Sequence, residues 1–331
     1  MSASLLFVVI AAALLFDFTN GFHDSANAIA TSISTRALSP TVALAMAAVA
    51  NVFGALISTE VAATLGKGIV ETGAVTQSVV LAALISAVGW NFITWYFGIP
   101  SSSSHALIGG LVGAVGTATS SAQVKWMGIL QKVVIPTVTS PLIGLVMGGA
   151  LATALYWTFR RAKPHTAAVG FRRAQTVSAA LMAFSHGSND AQKTMGVIAL
   201  ALLAAGRIQQ FSVPLWVKLA SAAAMGLGTF SGGKRIIRTL GMKLVKLQPI
   251  DGFAAETAAS VVLLATAHLG FPVSTTHVIT SSIMGVGATK RLSAVRWGVT
   301  FNILIAWLIT LPMTAAIAAV TYKIIAALVG R

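Results

Sequence analysis

Cysteine is absent from the chain, which excludes disulfides and thiolate metal sites. Charge is nearly as scarce. Only 9% of the 331 residues are charged, where a soluble domain carries about a quarter, and only 7 are acidic. With 56% apolar residues and a mean hydropathy of +0.86, the composition excludes a soluble globular protein. It points to a multi-pass protein of the cell (cytoplasmic) membrane. Apolar stretches recur along most of the length, each approaching the ~20 residues of a spanning helix. Alternating polarity, which a membrane barrel requires, is also missing: runs such as "VVIAAALLF" do not alternate. No basic stretch precedes the apolar residues 1–16 and no small-residue cleavage site follows, so they are expected to remain as the first helix rather than leave as a signal peptide. The formal net charge is +15, but the basic residues sit in short loops between apolar segments. That is the positive-inside pattern, with attraction to the lipid bilayer, and not a nucleic-acid surface.

The chain reads as two copies of one pattern. "GIPSSSSHALIGGLVGA" (98–114) aligns with "GFPVSTTHVITSSIMGVGA" (270–288), with His105 and His277 offset by 172 residues. "NGFHDSANAIA" (20–30) aligns with "HGSNDAQKTMG" (186–196), with Asp24 and Asp190 offset by 166 and Lys193 standing where the first copy has Asn27. The division expected is a first repeat over 1–158, a basic cytoplasmic linker over 159–173 and a second repeat over 174–331. The segment 160–173 holds five basic residues and no acid. Equivalent loops differ in charge: 64–74 has one lysine and one glutamate, whereas 234–246 has five basic residues. Opposite charge character predicts opposite sides of the membrane, hence inverted repeats with an odd number of crossings each. The fold class expected is all-α, with two inverted-topology repeats, broken helices and about ten to twelve transmembrane segments. The first break is expected at Asn20–Asn27, between apolar segments near 4–19 and 24–36. Whether such short segments are half-helices or re-entrant arms is not decided by periodicity.

Two constellations carry chemistry. "IPSSSSH" and "FPVSTTH" read as helix N-termini, with proline and hydroxyls where backbone N–H groups are free. Such termini bind anions, and two of them could grip one anion from opposite sides. The candidate substrate residues are Ser102, Ser103, Ser104, His105, Ser274, Thr275, Thr276 and His277. The competing reading is plain helix capping, and each histidine could simply bond a carbonyl. The second constellation is a pair of aspartates, costly at membrane depth and usual on ion or proton paths. Asp24 and Asp190, with Asn20, Asn27 and Asn189, could make an oxygen cage for a hard cation, so Asp24 and Asp190 are the metal ligands if sodium is the coupling ion. Alternatively the carboxylates carry protons, or the network is structural. Lys193 could neutralise Asp190, hold the anion or snorkel. Asp17 is left unassigned, and Glu60 and Glu256 are expected to tie apolar segments together. The glycine runs at 109–116 and 228–233 read as close helix packing, outside any nucleotide-loop context.

At these motifs the sequence resembles the inorganic phosphate transporter (PiT) family, especially its bacterial low-affinity permeases. The four stretches "NGFHDSANAIAT", "GIPSSSSHALIG", "FSHGSNDAQKTMGV" and "PVSTTH" carry the resemblance in order across the whole chain. It implies cation-coupled symport of inorganic phosphate by alternating access, with sodium or protons as the coupling ion and no cofactor. It implies substrate contacts at Ser102 to Ser104 and Ser274 to Thr276, and coupling through Asp24, Asn27 and Asp190. Many relatives carry asparagine where this chain has Lys193, so two equivalent cation sites are not assumed. Sulfate is the alternative substrate. Phosphate near neutral pH still bears a proton and benefits from a carboxylate acceptor, whereas sulfate is repelled by one. An anion channel is the other alternative and would show a continuous polar stripe. An enzyme is not expected, since Ser104 and His105 adjacent in sequence do not make a nucleophile–base pair. Assembly as a homodimer is left open.

Overall fold

The computed structural model describes residues 3–329. Its elements are α-helices α1 (Ala3–Ser34), α2 (Pro40–Ala55), α3 (Glu60–Gly68), α4 (Gln77–Phe97), α5 (Ser103–Ala118), α6 (Trp126–Ile129) and α7 (Ile135–Thr158), then α8 (Pro164–Ala204), α9 (Leu215–Ser231), α10 (Lys234–Arg238), α11 (Pro249–His268), α12 (Thr275–Lys290) and α13 (Trp297–Val329). A π-helical turn joins α6 to α7, and another follows α10. Among the described residues one isolated bridge, Val70 to Val124, is the only β pairing. Five helical stretches are long and apolar enough to cross a membrane: Ser4–Ser34, Gln77–Phe97, Trp126–Thr158, Pro249–His268 and Trp297–Leu328. A sixth arises if α2 and α3, bent by 65° at their junction, form one span. The outward side chains of α7 and α13 are large and apolar, among them Leu142, Val146, Phe301 and Leu308, as a lipid-facing surface requires.

Packing pairs the two halves in exchange. Helix α5 lies on α13 while α12 lies on α7, α1 packs on α9 while α2 packs on α8, and α10 meets α1 as α3 meets α8. Small residues make these approaches possible. A Cβ at Gly109 or Gly113 would collide with the backbone of α13 at Leu311 or Ala315, and one at Gly148 would meet Ser282 of α12. Without a hydrophobic driving force between helices in lipid, such close contact supplies dispersion energy. Two apolar clusters result, one around Phe16, Leu65, Leu107 and Met195 and the other around Ile29, Leu240, Leu263 and Ile283. Along α1 the polar motif runs between Phe16 and Ile29, so it sits between the two clusters.

The expected break at Asn20–Asn27 does not occur. Helix α1 runs unbroken through it, as α8 does through His186–Gly196. No proline interrupts either stretch. The hydroxyls of Thr19 and Ser25 bond back to Phe16 O and Phe22 O, as serine and threonine do within helices. The glycines there serve crossings and are not hinges: a Cβ on Gly21 would strike Met225 and Gly228 of α9, and one on Gly187 would strike Asn51 of α2. The discontinuities lie elsewhere, at the α2–α3 bend and in the extended stretches entering α5 and α12. Each of those stretches begins at a glycine in the left-handed region, Gly98 (φ 66°) and Gly270 (φ 72°). Glu60 also departs from expectation, being exposed at the start of α3, whereas Glu256 is fully buried.

The glycine seams give a paired test. Gly113→Val should lower stability by at least the ~1–3 kcal/mol typical of overpacking. Gly116→Ala, with nothing within 4 Å of its new Cβ, should be neutral or stabilising by up to ~1 kcal/mol. Thermal unfolding in detergent checks both, and equal shifts would contradict the packing of α5 on α13.

Candidate functional site

The first turns of α5 and α12 are built alike. Proline at 100 and 272 precedes each, and the N-cap serines Ser102 and Ser274 accept from the backbone N of His105 (3.1 Å) and His277 (3.3 Å). These two hydroxyls therefore cap their helices through their oxygens. The next two hydroxyls on each helix reach across to α1 and α8. Ser103 Oγ donates to Asn20 Oδ1 (2.7 Å) and Asp24 Oδ2 (3.0 Å). Thr276 Oγ1, from the other half, donates to Asp24 Oδ1 at 3.4 Å, and Thr275 Oγ1 to Asp190 Oδ2 at 3.3 Å. Ser104 Oγ donates to Val273 O at 3.2 Å.

Asn27 and Lys193, equivalent in the two copies, do equivalent structural work. Asn27 Nδ2 donates to Thr276 Oγ1 (2.9 Å) and Thr275 Oγ1 (3.3 Å) on α12. Lys193 Nζ donates to Ser104 Oγ on α5, to Val273 O at 3.1 Å and to Asp190 Oδ1 at 2.5 Å. Each thus ties its own half to the short helix of the other. Lys193 is fully buried, so its ammonium depends on these three acceptors and on the opposite charge of Asp190.

Histidines complete the aspartates' surroundings. His23 places Nδ1 2.6 Å from Asp24 Oδ1 and Nε2 3.0 Å from Thr94 Oγ1. His186 Nε2 lies 3.4 Å from Asp190 Oδ2, and its Nδ1 is 3.0 Å from Asn51 Oδ1. Neither is a candidate site residue on the sequence reading, although His23 lies inside the quoted motif beside Asp24 and His186 is spaced i, i+4 from Asp190 on one helix face. Ligand atoms of Asp24, His186 and Asp190 lie within 4.8 Å of one another, compact enough for one small ion or an oxyanion's edge. Unpartnered polar atoms border them: Asn20 Nδ2, Asn27 Oδ1 and Asn189 Oδ1. Asn189 spends its amide N–H on Phe271 O at 3.3 Å.

His105 and His277 stand apart from this cluster. Their rings meet edge to face at 4.8 Å, His105 Nε2 bonds Thr137 Oγ1 of α7 at 2.8 Å, and His277 stacks on Trp307 of α13 at 3.8 Å. They support the first turns of α5 and α12 from the side away from the carboxylates. A separate polar knot surrounds Glu256, which accepts from Thr31 (2.5 Å), Gln175 (3.1 Å) and Ser178 and joins α11 to α1 and α8. No candidate substrate or cation residue exceeds 2% exposure. The arrangement is a buried cluster of hydroxyls and amides around two carboxylates and one ammonium.

Such a cluster, set among helices long and apolar enough to cross a membrane, is what a membrane protein handling a charged solute requires. Comparison with known proteins identifies the family. Residues 20–318 match the model of the phosphate transporter family, and the chain belongs to that family. It is 51% identical over 320 residues, 96% of each chain, to a Rhizobium meliloti protein described as "Probable low-affinity inorganic phosphate transporter". Bacillus subtilis has a relative of the same description, 46% identical across 97% of each chain. A Mycobacterium bovis relative, also so described, is 48% identical over 97% of this chain and 78% of its own. A solved structure described as "The sodium-dependent phosphate transporter" superposes with a TM-score of 0.90 at 25% identity, covering 97% of this chain and 99% of that one.

The Asp190–Lys193 pair can be tested by a cycle. Lys193→Met leaves a buried uncompensated carboxylate and should cost about 3–5 kcal/mol. Adding Asp190→Asn should recover most of that loss. Unfolding midpoints of the two single variants and the double variant measure the coupling, and strictly additive losses would count against a direct pair.

Proposed function

We propose that this protein is a secondary active transporter of the cytoplasmic membrane that carries inorganic phosphate together with a cation by alternating access. The observation that carries the reading is the convergence of two helix N-termini, one from each half, on Asp24 and Asp190 through Ser103, Thr275 and Thr276. An oxyanion placed there meets backbone N–H groups, hydroxyls and the Lys193 ammonium. It also meets carboxylates, which a fully deprotonated anion would find repulsive and which a protonated phosphate can satisfy by donating. Sulfate lacks that proton. The carboxylates hold the chamber negative, so the anion enters only with positive charge beside it.

In this reading Lys193 is a tethered cation that neutralises Asp190. Asp24, with the carbonyl oxygens of Asn20 and Asn27, is then the carboxylate left for a mobile cation. Sodium is favoured, because these are hard oxygen donors and because the related solved structure is described as sodium-dependent. The two halves, 1–158 and 174–331, are read as inverted repeats joined by the basic cytoplasmic segment 159–173, giving ten to twelve segments if the short helices α5 and α12 are counted. Because α5 rests on α13 and α12 on α7, each on the final helix of the opposite half, the units that move in alternating access are these cross-half groups and not the two halves of the sequence.

Uptake of labelled phosphate into liposomes containing purified protein tests this. A sodium gradient should drive accumulation, excess sulfate should not compete, and Asp24→Asn should abolish it. Accumulation driven by protons alone would replace sodium as the coupling ion, and accumulation of labelled sulfate in place of phosphate would overturn the substrate. Ser103→Ala removes one hydroxyl that already bonds Asn20 and Asp24 and should cost about 0.5–1.5 kcal/mol of anion binding, which is about 2–10-fold in the concentration for half-maximal uptake.

A further inference from the structure

We infer that the cavity beside His105 and His277 is a binding site for an uncharged single-chain lipid whose head carries hydroxyls, such as a monoacylglycerol. The cavity measures about 490 Å³ and is lined by α5, α7, α12 and α13, a size within the ~300–1,000 Å³ of small-ligand sites. Both imidazoles line it and both are buried. Yet three of their four ring nitrogens have no protein partner: His105 Nδ1, His277 Nδ1 and His277 Nε2. The fourth, His105 Nε2, meets Thr137 Oγ1 at 2.8 Å. By contrast, both ring nitrogens of His23 are taken, by Asp24 and Thr94. The Trp307 indole, on which His277 stacks, spends its N–H on Pro100 O. A buried polar group left unmet costs about 1–3 kcal/mol, so a ligand that answers these nitrogens is favoured.

The lining dictates the ligand's chemistry. A neutral imidazole offers one donor and one acceptor, so the head that fits His277 must both donate and accept, as a hydroxyl does. Among the described residues no Asp, Glu, Lys or Arg lines the cavity. A carboxylate or phosphate head would therefore be desolvated there without a counter-charge. The walls are largely apolar, and Val138, Leu142 and Leu308 among them are exposed on the lipid-facing side of α7 and α13. A lipid thus enters from the bilayer head first and leaves its chain along those three side chains. One chain suits this volume, and a two-chain phospholipid exceeds it. The position has a consequence for movement. The cavity lies across the seam between the α5–α13 and α12–α7 groups, where His105 and His277 touch edge to face. A lipid seated there favours one arrangement of the two groups and slows their exchange. That consequence rests on the alternating-access reading, whereas the site itself does not.

Photolabelling separates the two. The probe is monooleoylglycerol carrying a diazirine in its chain, applied to purified full-length protein in phosphatidylcholine nanodiscs, with the labelled residues mapped by mass spectrometry. Label should fall on the α7 and α13 peptides that contain Leu142 and Leu308, and excess plain monooleoylglycerol should remove it. His277→Phe, which keeps a ring against Trp307, should raise the concentration for half-maximal label about tenfold. Leu304→Trp, which fills the cavity from α13, should abolish the label. Label spread evenly over the lipid-facing helices, or unchanged in both variants, would overturn the site. Better competition by oleate than by monooleoylglycerol would overturn the uncharged head. Label found only in discs holding a single chain would assign the cavity to a second copy of the protein and overturn the lipid. Unfolding midpoints verify that the variants are folded, and the wild-type map decides alone if they are not. In liposomes, monooleoylglycerol should slow labelled-phosphate uptake by the wild type at least twofold. Mapped label with unchanged uptake would uphold the site and overturn its effect on movement. Mapped label in a protein that takes up no phosphate would overturn the transport reading and leave the site standing.

Discussion

Everything in this structure is arranged around carboxylates held at membrane depth. Asp24 and Asp190 are buried to 2% and 0% exposure, where an uncompensated charge costs several kcal/mol. Their relief comes from across the molecule. Ser103 and Thr276 reach Asp24 from opposite halves, and Asp190 is met by Lys193 from its own helix and Thr275 from the facing one. Those reaches are short only because the helices are unusually close. The glycines on α5, α7, α9 and α12 admit backbone against backbone, so small residues far from the chamber determine whether a hydroxyl can touch an aspartate. Packing and electrostatics are one constraint here.

The near-symmetry of the two halves makes their differences informative. Equivalent positions 27 and 193 both bridge to the facing short helix, one with an amide and the other with an ammonium. The amide brings no charge to Asp24, whereas the Lys193 ammonium bonds Asp190 directly. Asp17 stands opposite Ala183 at the 166-residue offset, so the first stretch carries one acidic residue more. The two motif stretches thus share their cross-helix bonds but differ in charge.

Much of this was legible in the sequence, and the exceptions have physical causes. The capped starts of α5 and α12 were readable because proline followed by hydroxyls is a local signal, and local signals survive without tertiary information. The supposed break in α1 was not readable, because Gly21 as a hinge and Gly21 as a contact point for α9 look identical along a single chain. The direction of His105 and His277 was hidden for a related reason: one residue's step around a helix turns a side chain by about 100°, from the carboxylates toward Thr137 and Trp307. The bonds from Thr31 and Gln175 to Glu256 cross 225 and 81 residues of sequence, and no local pattern announces such partners.

The chamber's donors are already partnered, and that bears on how it would work as a carrier site. Ser103, Ser104, Thr275 and Thr276 each bond to a protein acceptor. An arriving anion therefore exchanges one set of hydrogen bonds for another and gains only the difference. A site of free donors, or of buried arginines, would bind more tightly and release more slowly. In a carrier cycling by alternating access, internal satisfaction of this kind would let the empty protein reorient without stranding a buried polar group. Weak binding and an easy return would then follow from the same four hydroxyls.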